Sequence, residues 1–221
     1  MNFNPILYEH IESTRPINKF TIFGERHSGT NWLEKTILSR LQLKLTWEFG
    51  SKHFIKNLNW LRLNKAQNVL FICITRNIYD WIHGFYKLPH HVAPSIKGDR
   101  KKFILNEWDS GVCDYNFITN KPYDNIFHMR QSKLQFYLDF LPNIVHNMIV
   151  LRYEDLLTNP ENIVSFISTN YNVKKTNTPY NKRILPRKKS SYNVRPDILD
   201  IINNNTDWVT ECRFNYFPKL K

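Results

Sequence analysis

The sequence predicts an α/β fold, a three-layer α/β/α domain around a central parallel sheet. Three observations carry that prediction. A short β-rich run ends in glycine and leads directly into residues at helical spacing. A continuous apolar run with β-branched residues follows, as a strand buried on both faces requires. Strand-like and helix-like stretches then alternate, which is the pattern of parallel strands joined by helices. No internal repeat and no flexible linker interrupts the pattern, so one domain over residues 1–221 is the simplest reading.

Taken in order, "KFTIFG" (Lys19 to Gly24) is the first core strand. "TNWLEKTILSRLQ" follows as a helix, with Trp32, Leu33, Ile37, Leu38 and Leu41 on its apolar face. A second strand is expected just before Thr46, and "NVLFICIT" (Asn68 to Thr75) is the next buried one. A mixed helical stretch, Tyr79 to Lys87, comes after it, and "HNMIVLRY" (His146 to Tyr153) is a further strand. The helix behind that strand is well marked. Asn159 suits its cap, Pro160 its first turn, and Ile163, Phe166 and Ile167 its apolar stripe. Two segments rich in Pro, Asn, Lys and Arg read as loops: "LPHHVAPSIKGDRKK" from Leu88 and "NTPYNKRILPRKKSSYN" from Asn177.

Composition bounds the rest. With 42% hydrophobic and 23% charged residues, the chain is a folded globular protein. No apolar run is long enough to span a bilayer, and the N-terminus lacks a basic region followed by an apolar stretch, so a cytoplasmic protein is expected. Cys73, Cys113 and Cys212 are far apart and show no metal-binding spacing. No disulfide framework and no metal site are expected, and Cys73 reads as a small core residue. The net charge of +12 points to an anionic partner. Basic residues are spread over several segments without aromatic interleaving, so nucleic acid is not the expected one.

"GERHSGTN" (Gly24 to Asn31) lies where strand becomes helix, with two glycines four residues apart. That context makes a phosphate-binding loop, because a helix amino terminus offers backbone donors and positive partial charge. Yet Thr30-Asn31 stands where a triphosphate loop needs Lys and then Ser or Thr, the ligands of a magnesium-bound nucleotide. A single 5′-phosphate needs no such ligand. Arg76, directly after the buried strand, is well placed to meet an anion at the carboxyl edge of the sheet, as would be Gly24 and Tyr153.

Together these motifs resemble the sulfotransferases that use 3′-phosphoadenosine-5′-phosphosulfate (PAPS), in a divergent branch. "RHSGTNWL" is similar to their 5′-phosphosulfate loop, and "RNIYDWIHGFY" to their 3′-phosphate motif. "VLRYEDLLTNPENIVSFI" is similar to the family's Tyr-Glu-Asp segment, and "LPRKKSSYN" to its late basic element. The resemblance implies a P-loop NTPase-like fold, with PAPS as donor, 3′,5′-phosphoadenosine (PAP) as product, and no metal. It implies that Ser28, Gly29, Thr30 and Asn31 hold the 5′-phosphate and sulfonate, with Arg26 or His27 supplying the loop's charge. It also implies that Trp32 stacks near adenine, while helical spacing equally suits that residue to the core. Arg76 matches the 3′-phosphate arginine, and Arg187, Lys188 and Lys189 match the residues that close over the donor. Gly84 stands where the family has Ser, and Ile78 where it has Pro.

Sulfuryl transfer needs a base on the acceptor and positive charge at the leaving phosphate. "TWEFGSKHF" (Thr46 to Phe54) offers Glu48 or His53 as the base, with His53 favoured, and Lys52 as the cation. The expected acceptor is a small molecule or glycan bearing a hydroxyl or amine. Its pocket would be formed by Glu48 to Phe54, His83 to Pro94 and Asp114 to Met129, with Tyr86, Tyr115 and Phe127 as stacking aromatics. The alternative is a P-loop kinase or NTPase of altered motif, with Glu154-Asp155 after the last strand as magnesium ligands. A non-catalytic nucleic-acid binder, or a fold that has lost its catalysis, are further alternatives.

Overall fold

The computed structural model describes residues 6–12, 15–53, 66–108, 114–177 and 194–220. Its centre is a five-stranded sheet of β1 (Ile6–Ile11), β2 (Lys19–Gly24), β3 (Lys44–Leu45), β4 (Val69–Thr75) and β5 (Asn147–Arg152), in the order β1-β5-β4-β2-β3. Eight α-helices accompany it among the described residues: α1 (Thr30–Arg40), α2 (Ile78–Lys87), α3 (Arg100–Leu105), α4 (Ile126–Gln135), α5 (Tyr153–Thr158), α6 (Pro160–Asn170), α7 (Pro196–Asn205) and α8 (Trp208–Cys212).

Alternate residues of the strands enter two different cores. Phe20, Ile22, Leu70, Ile72, Ile74, Ile149 and Leu151 pack with Leu33 and Ile37 of α1 and Ile163, Val164 and Ile167 of α6. Phe23, Phe71, Cys73, Met148 and Val150 pack on the opposite face with Leu134 of α4, Phe136, Tyr137 and the C-terminal Phe214 and Tyr216. All seven residues of β4 are buried for that reason, which is why its sequence reads as one unbroken apolar run. A third core gathers α2, α3, α4 and α7 around Trp81, Phe103, Trp108 and Tyr123.

The expected wholly parallel sheet is corrected to a mixed one. β2, β3, β4 and β5 are parallel, but β1 pairs antiparallel with β5, from Ile11 opposite Asn147 to Ile6 opposite Leu151. "ILYEHI" is half-buried, as an edge strand is, and lacks the long apolar run that marks the central ones. On α1, Leu38 is exposed at 43% whereas Thr36 is buried, so the helix turns a slightly different face inward than the apolar spacing suggests. Asn159 does occupy the position before α6, but its side chain makes no capping bond; Pro160 opens the helix as expected. The loop from Leu88 is helical at its end. Asp99 accepts from Lys102 N at 3.0 Å and starts α3. Cys73 is fully buried, a core residue as expected, while Cys113 lies outside the described residues.

The connectivity fixes where a ligand can sit. From β2 the chain crosses through α1 to β3 on one side, while β4 lies on the other side and continues to β5. The sheet order therefore reverses between β2 and β4, and the crevice outside their carboxyl ends is the natural binding place of such a sheet. Gly24 is in register with Ile74 there, which sets Gly24 and Arg76 side by side. No helix among the described residues is long and apolar enough to cross a membrane.

Candidate functional site

At the end of β2 the backbone turns tightly because two residues take left-handed conformations, His27 at φ 64° and Gly29 at φ 96°. Gly29 is required twice over: a Cβ there would also collide with the ring of Tyr153. Gly24 has no room either, since its Cβ would lie 2.7 Å from the Ile74 carbonyl oxygen. Gly29 then caps α1, accepting from Trp32 N and Leu33 N at 3.0 Å each. The amides opening that helix have no intrahelical carbonyl to reach, so they are available to an anion.

Arg76 leaves the end of β4 and donates from Nη1 to His27 O at 3.0 Å. Its guanidinium lies 4.6 Å over the Tyr153 ring, and that ring meets Trp32 edge-on at 5.9 Å. The backbone beneath Arg76 is clamped from behind. Its carbonyl accepts from Arg130 Nη2 at 2.8 Å, and Asn77 N donates to Glu154 Oε1 at 3.0 Å. Arg130 is held in turn by a buried bidentate pair with Glu211, and Glu154 accepts from Tyr216 OH at 2.8 Å.

The third segment arrives along β2. Thr46 N donates to Phe20 O at 2.9 Å, and Gly24 N donates to Lys52 O at 2.9 Å, so residues 46–52 run from the amino to the carboxyl end of that strand. His53 Nδ1 then donates to Gly24 O at 2.7 Å. Lys52 Nζ reaches over the start of α1 to Asn31 Oδ1 at 2.5 Å and Glu34 Oε2 at 3.3 Å.

These three segments, with His90, His91 and Tyr153, line a cavity of about 610 Å³ through Arg26, His27, Gly29, Thr30, Asn31, Trp32, Lys52, His53 and Arg76. Its size is that of a small-molecule or nucleotide site. Two of its histidines are neutral. Burial, with Arg26, Lys52 and Lys133 nearby, lowers His53 to about 3, against its bond to Gly24 O. Burial also lowers His27, whose Nε2 donates to Leu88 O at 2.8 Å and whose ring stacks on His90 at 5.8 Å.

No family model matches the sequence, and no curated protein is similar to it.

The structure brings most of the expected residues together, with several corrections. Ser28 faces away from the cavity: its hydroxyl is buried and donates to Glu25 O at 2.6 Å, closing the turn. Glu48 is exposed, pairs with Lys19 Nζ at 2.9 Å toward the amino end of β2, and does not line the cavity. Of the two candidates for the loop's charge, His27 is neutral, while Arg26 is buried with Nη1 3.5 Å from Asp114 Oδ2. Arg26 nonetheless lines the cavity, as do Lys52 and Arg76 from other segments of the chain. Gly84 sits behind them, its Cβ position 3.7 Å from Arg76 Nη1 and from His27 Cβ. Phe127 is buried in the third core and Tyr86 OH is bound to Gly98 O at 3.0 Å, so neither they nor Tyr115 line this cavity. Arg187, Lys188 and Lys189 lie outside the described residues.

Behind the loop is a cluster that sequence reasoning missed. Lys133 of α4, 1% exposed, places Nζ 2.6 Å from Glu25 Oε1 and 2.7 Å from Asp114 Oδ2, and donates to His53 O at 2.9 Å. A signal was present in the chain. Lys133 follows Ile126, Met129 and Arg130 at helical spacing and so falls on the buried face of α4. A charged residue there must find partners inside the protein.

Proposed function

We propose that the chain is a PAPS-dependent sulfotransferase of P-loop NTPase-like fold, transferring a sulfonate to a hydroxyl or amine of a small molecule or glycan. The observation that carries this reading is the cavity at the β2–β4 switch point. There the start of α1, Lys52 and Arg76 converge from three segments of the chain. The residues present fit such a donor. The α1 amides and Lys52 suit a 5′-phosphosulfate, and Arg76 suits a separate 3′-phosphate. Trp32, which lines the cavity, keeps a buried indole N–H without a hydrogen-bond partner among the described residues; an acceptor on the ligand would satisfy it.

Bound there, PAPS supplies an activated sulfonate, and PAP is the product left behind. Lys52 holds its ammonium beside the amino end of α1, where negative charge would gather. His53, fixed by the bond from Nδ1 to Gly24 O, carries its lone pair on Nε2 and orients the hydroxyl of an acceptor through it. With the imidazole at about 3 it is by itself a weak base. An anionic ligand beside it would offset the smaller contribution of Arg26, Lys52 and Lys133 and move it upward, while burial, the larger cause, stays.

The NTPase alternative has less support. Glu154 is engaged by Asn77 N and Tyr216 OH, and Asp155 pairs with Arg152 through two bonds of 2.7 and 2.8 Å. Neither carboxylate lines the cavity. Calorimetry and thermal shift test the choice: PAP is expected to bind and stabilise the protein without magnesium. Absence of PAP binding together with tight magnesium–ATP binding would overturn the reading.

A further inference from the structure

Four ionisable side chains are buried directly behind the glycine loop: Glu25 and Arg26 on the loop, Asp114 from the segment before α4, and Lys133 on α4. Their formal charges cancel. Such a group is not a good way to hold a fold together, because desolvation takes back most of the Coulomb attraction and packed apolar residues often serve as well or better. What distinguishes this cluster is its geometry. One ammonium has three oxygens within 2.6–2.9 Å, from three separate segments: it donates to Asp114 Oδ2 and the carbonyl of His53 and forms an ion pair with Glu25 Oε1.

The His53 contact is the informative one. Residues 52 and 53 already bond to Gly24 through two hydrogen bonds, Gly24 N to Lys52 O and His53 Nδ1 to Gly24 O. Both attach to the same residue, and the remaining bonds at this end of the segment, from Lys52 Nζ to Asn31 and Glu34, come from a long side chain. Among the described residues, the backbone of residues 52–53 is therefore tied to the sheet at Gly24 alone. The bond from Lys133 to His53 O adds a fixed point on α4, which is anchored in two cores by Leu134, Ile126 and Met129. Glu25 secures the same ammonium from the loop side.

We propose that Lys133 is a positioning residue for the Lys52–His53 pair, locking that segment against the glycine loop so that both side chains face the cavity in one arrangement. The inference rests on the reading of Lys52 and His53 as the working groups of the site, but its geometry can be tested without turnover. Positive charge from Lys133 and Arg26 also reaches His53 from behind, which agrees with an imidazole held neutral.

Three variants test it: Lys133→Met, the charge-balanced double variant Lys133→Met with Asp114→Asn, and Asp114→Asn alone. The double variant guards against misfolding, because it removes one positive and one negative charge and keeps the cluster's formal charge at zero. Asp114→Asn keeps the bond from Lys133 to His53 O. The imidazole ¹⁵N signals of His53 and the exchange rate of the Gly24 amide are read by NMR, and PAP affinity by calorimetry. Loss of Lys133 is expected to replace the single Nδ1–H tautomer of His53 by a mixture and to speed Gly24 exchange at least about tenfold. PAP affinity should stay within about threefold, and turnover should fall on the order of 100-fold, the scale of a misplaced general base. Asp114→Asn should leave the His53 tautomer as in the wild type. If folded Lys133 variants keep the wild-type His53 and Gly24 signals, or if Asp114→Asn disturbs them equally, Lys133 is merely structural and the proposal fails. If the wild type itself binds no PAP, the donor assignment fails, while the NMR comparison still decides the role of Lys133.

Discussion

The two sides of the Gly24–Gly29 loop handle positive charge differently. On the buried side, Arg26 and Lys133 face two carboxylates, Glu25 and Asp114, and the four charges cancel. On the cavity side, Lys52 is bonded chiefly to the neutral Asn31 amide, with Glu34 at 3.3 Å, and Arg76 to a backbone carbonyl and an aromatic ring. Amides, carbonyls and ring faces orient a cation without neutralising it. With one carboxylate, Glu34, against the two cations Lys52 and Arg76, the front presents net positive charge to a ligand, while at the back Lys133 is engaged by two carboxylates. Arg26 spans the division: it lines the cavity and is also buried with Nη1 3.5 Å from Asp114 Oδ2.

Removing a front group should then damage function more than stability, and the largest effect is expected at the Lys52–His53 pair. His53→Gln should lower turnover by about 10²–10⁴-fold, the range of a positioned general base, with little change in PAP affinity by calorimetry. Comparable activity in that variant would move the base elsewhere. Gly29→Ala probes the join between front and back, because it forces a side chain into the left-handed region and onto the Tyr153 ring. A loss of about 3 kcal/mol in urea denaturation is expected, from backbone strain and overpacking together. Arg76→Ala should weaken PAP by about 1.5–3 kcal/mol, the worth of hydrogen bonds to a charged group. The same change should leave adenosine 5′-phosphosulfate, which lacks the 3′-phosphate, nearly unaffected; equal losses for both ligands would remove Arg76 from that role.

A pH titration separates the two sides further. In the unfolded chain His53 takes up a proton as pH falls through about 6.5, but in the folded protein it stays neutral down to about 3. The unfolded state thus binds more protons in that window, so stability falls as pH drops from about 6.5 toward 3. His27 contributes with the same sign, also through burial. Denaturation midpoints at several pH values should show His53→Gln losing less stability than the wild type across this range, by up to about 1.4 kcal/mol per pH unit. The smallest effect is expected at Gly84. A Cβ there meets only ordinary contacts, and replacing glycine inside α2 removes a helix penalty, so Gly84→Ser should stabilise the fold by roughly 0.5 kcal/mol. Its hydroxyl would stand beside Arg76, and a tighter PAP complex would show that the front can accept one more donor.

What could be read beforehand follows from what kind of interaction each feature depends on. β2 was legible from Lys19 to Gly24 and β4 as a buried run, because strand burial on both faces writes itself into consecutive residues. The edge strand β1 was not, since its pairing with β5 depends on a partner about 140 residues away rather than on its own pattern. The approach of Gly24, Arg76 and Tyr153 at the carboxyl edge of the sheet followed from the carboxyl-end rule, while Lys52 and His53 were candidates through the family resemblance. Which hydroxyl, carboxylate or cation faces the cavity did not follow. Ser28 turns inward because its hydroxyl closes the loop onto Glu25 O, and Glu48 turns outward because Lys19 lies across from it.

By itself, the amino-acid sequence determined the strand–glycine–helix unit, the buried strands that place it, and the candidate residues at their carboxyl ends. These depend on local propensity and periodicity, which neighbouring residues carry. Only the tertiary structure decided that Arg26 lies buried beside Asp114 while Lys52 and Arg76 reach the same cavity from other segments of the chain. The physical reason is burial: a charged group taken into the interior must find partners there, as Lys133 does between Glu25 and Asp114, and those partners come from segments distant in the chain.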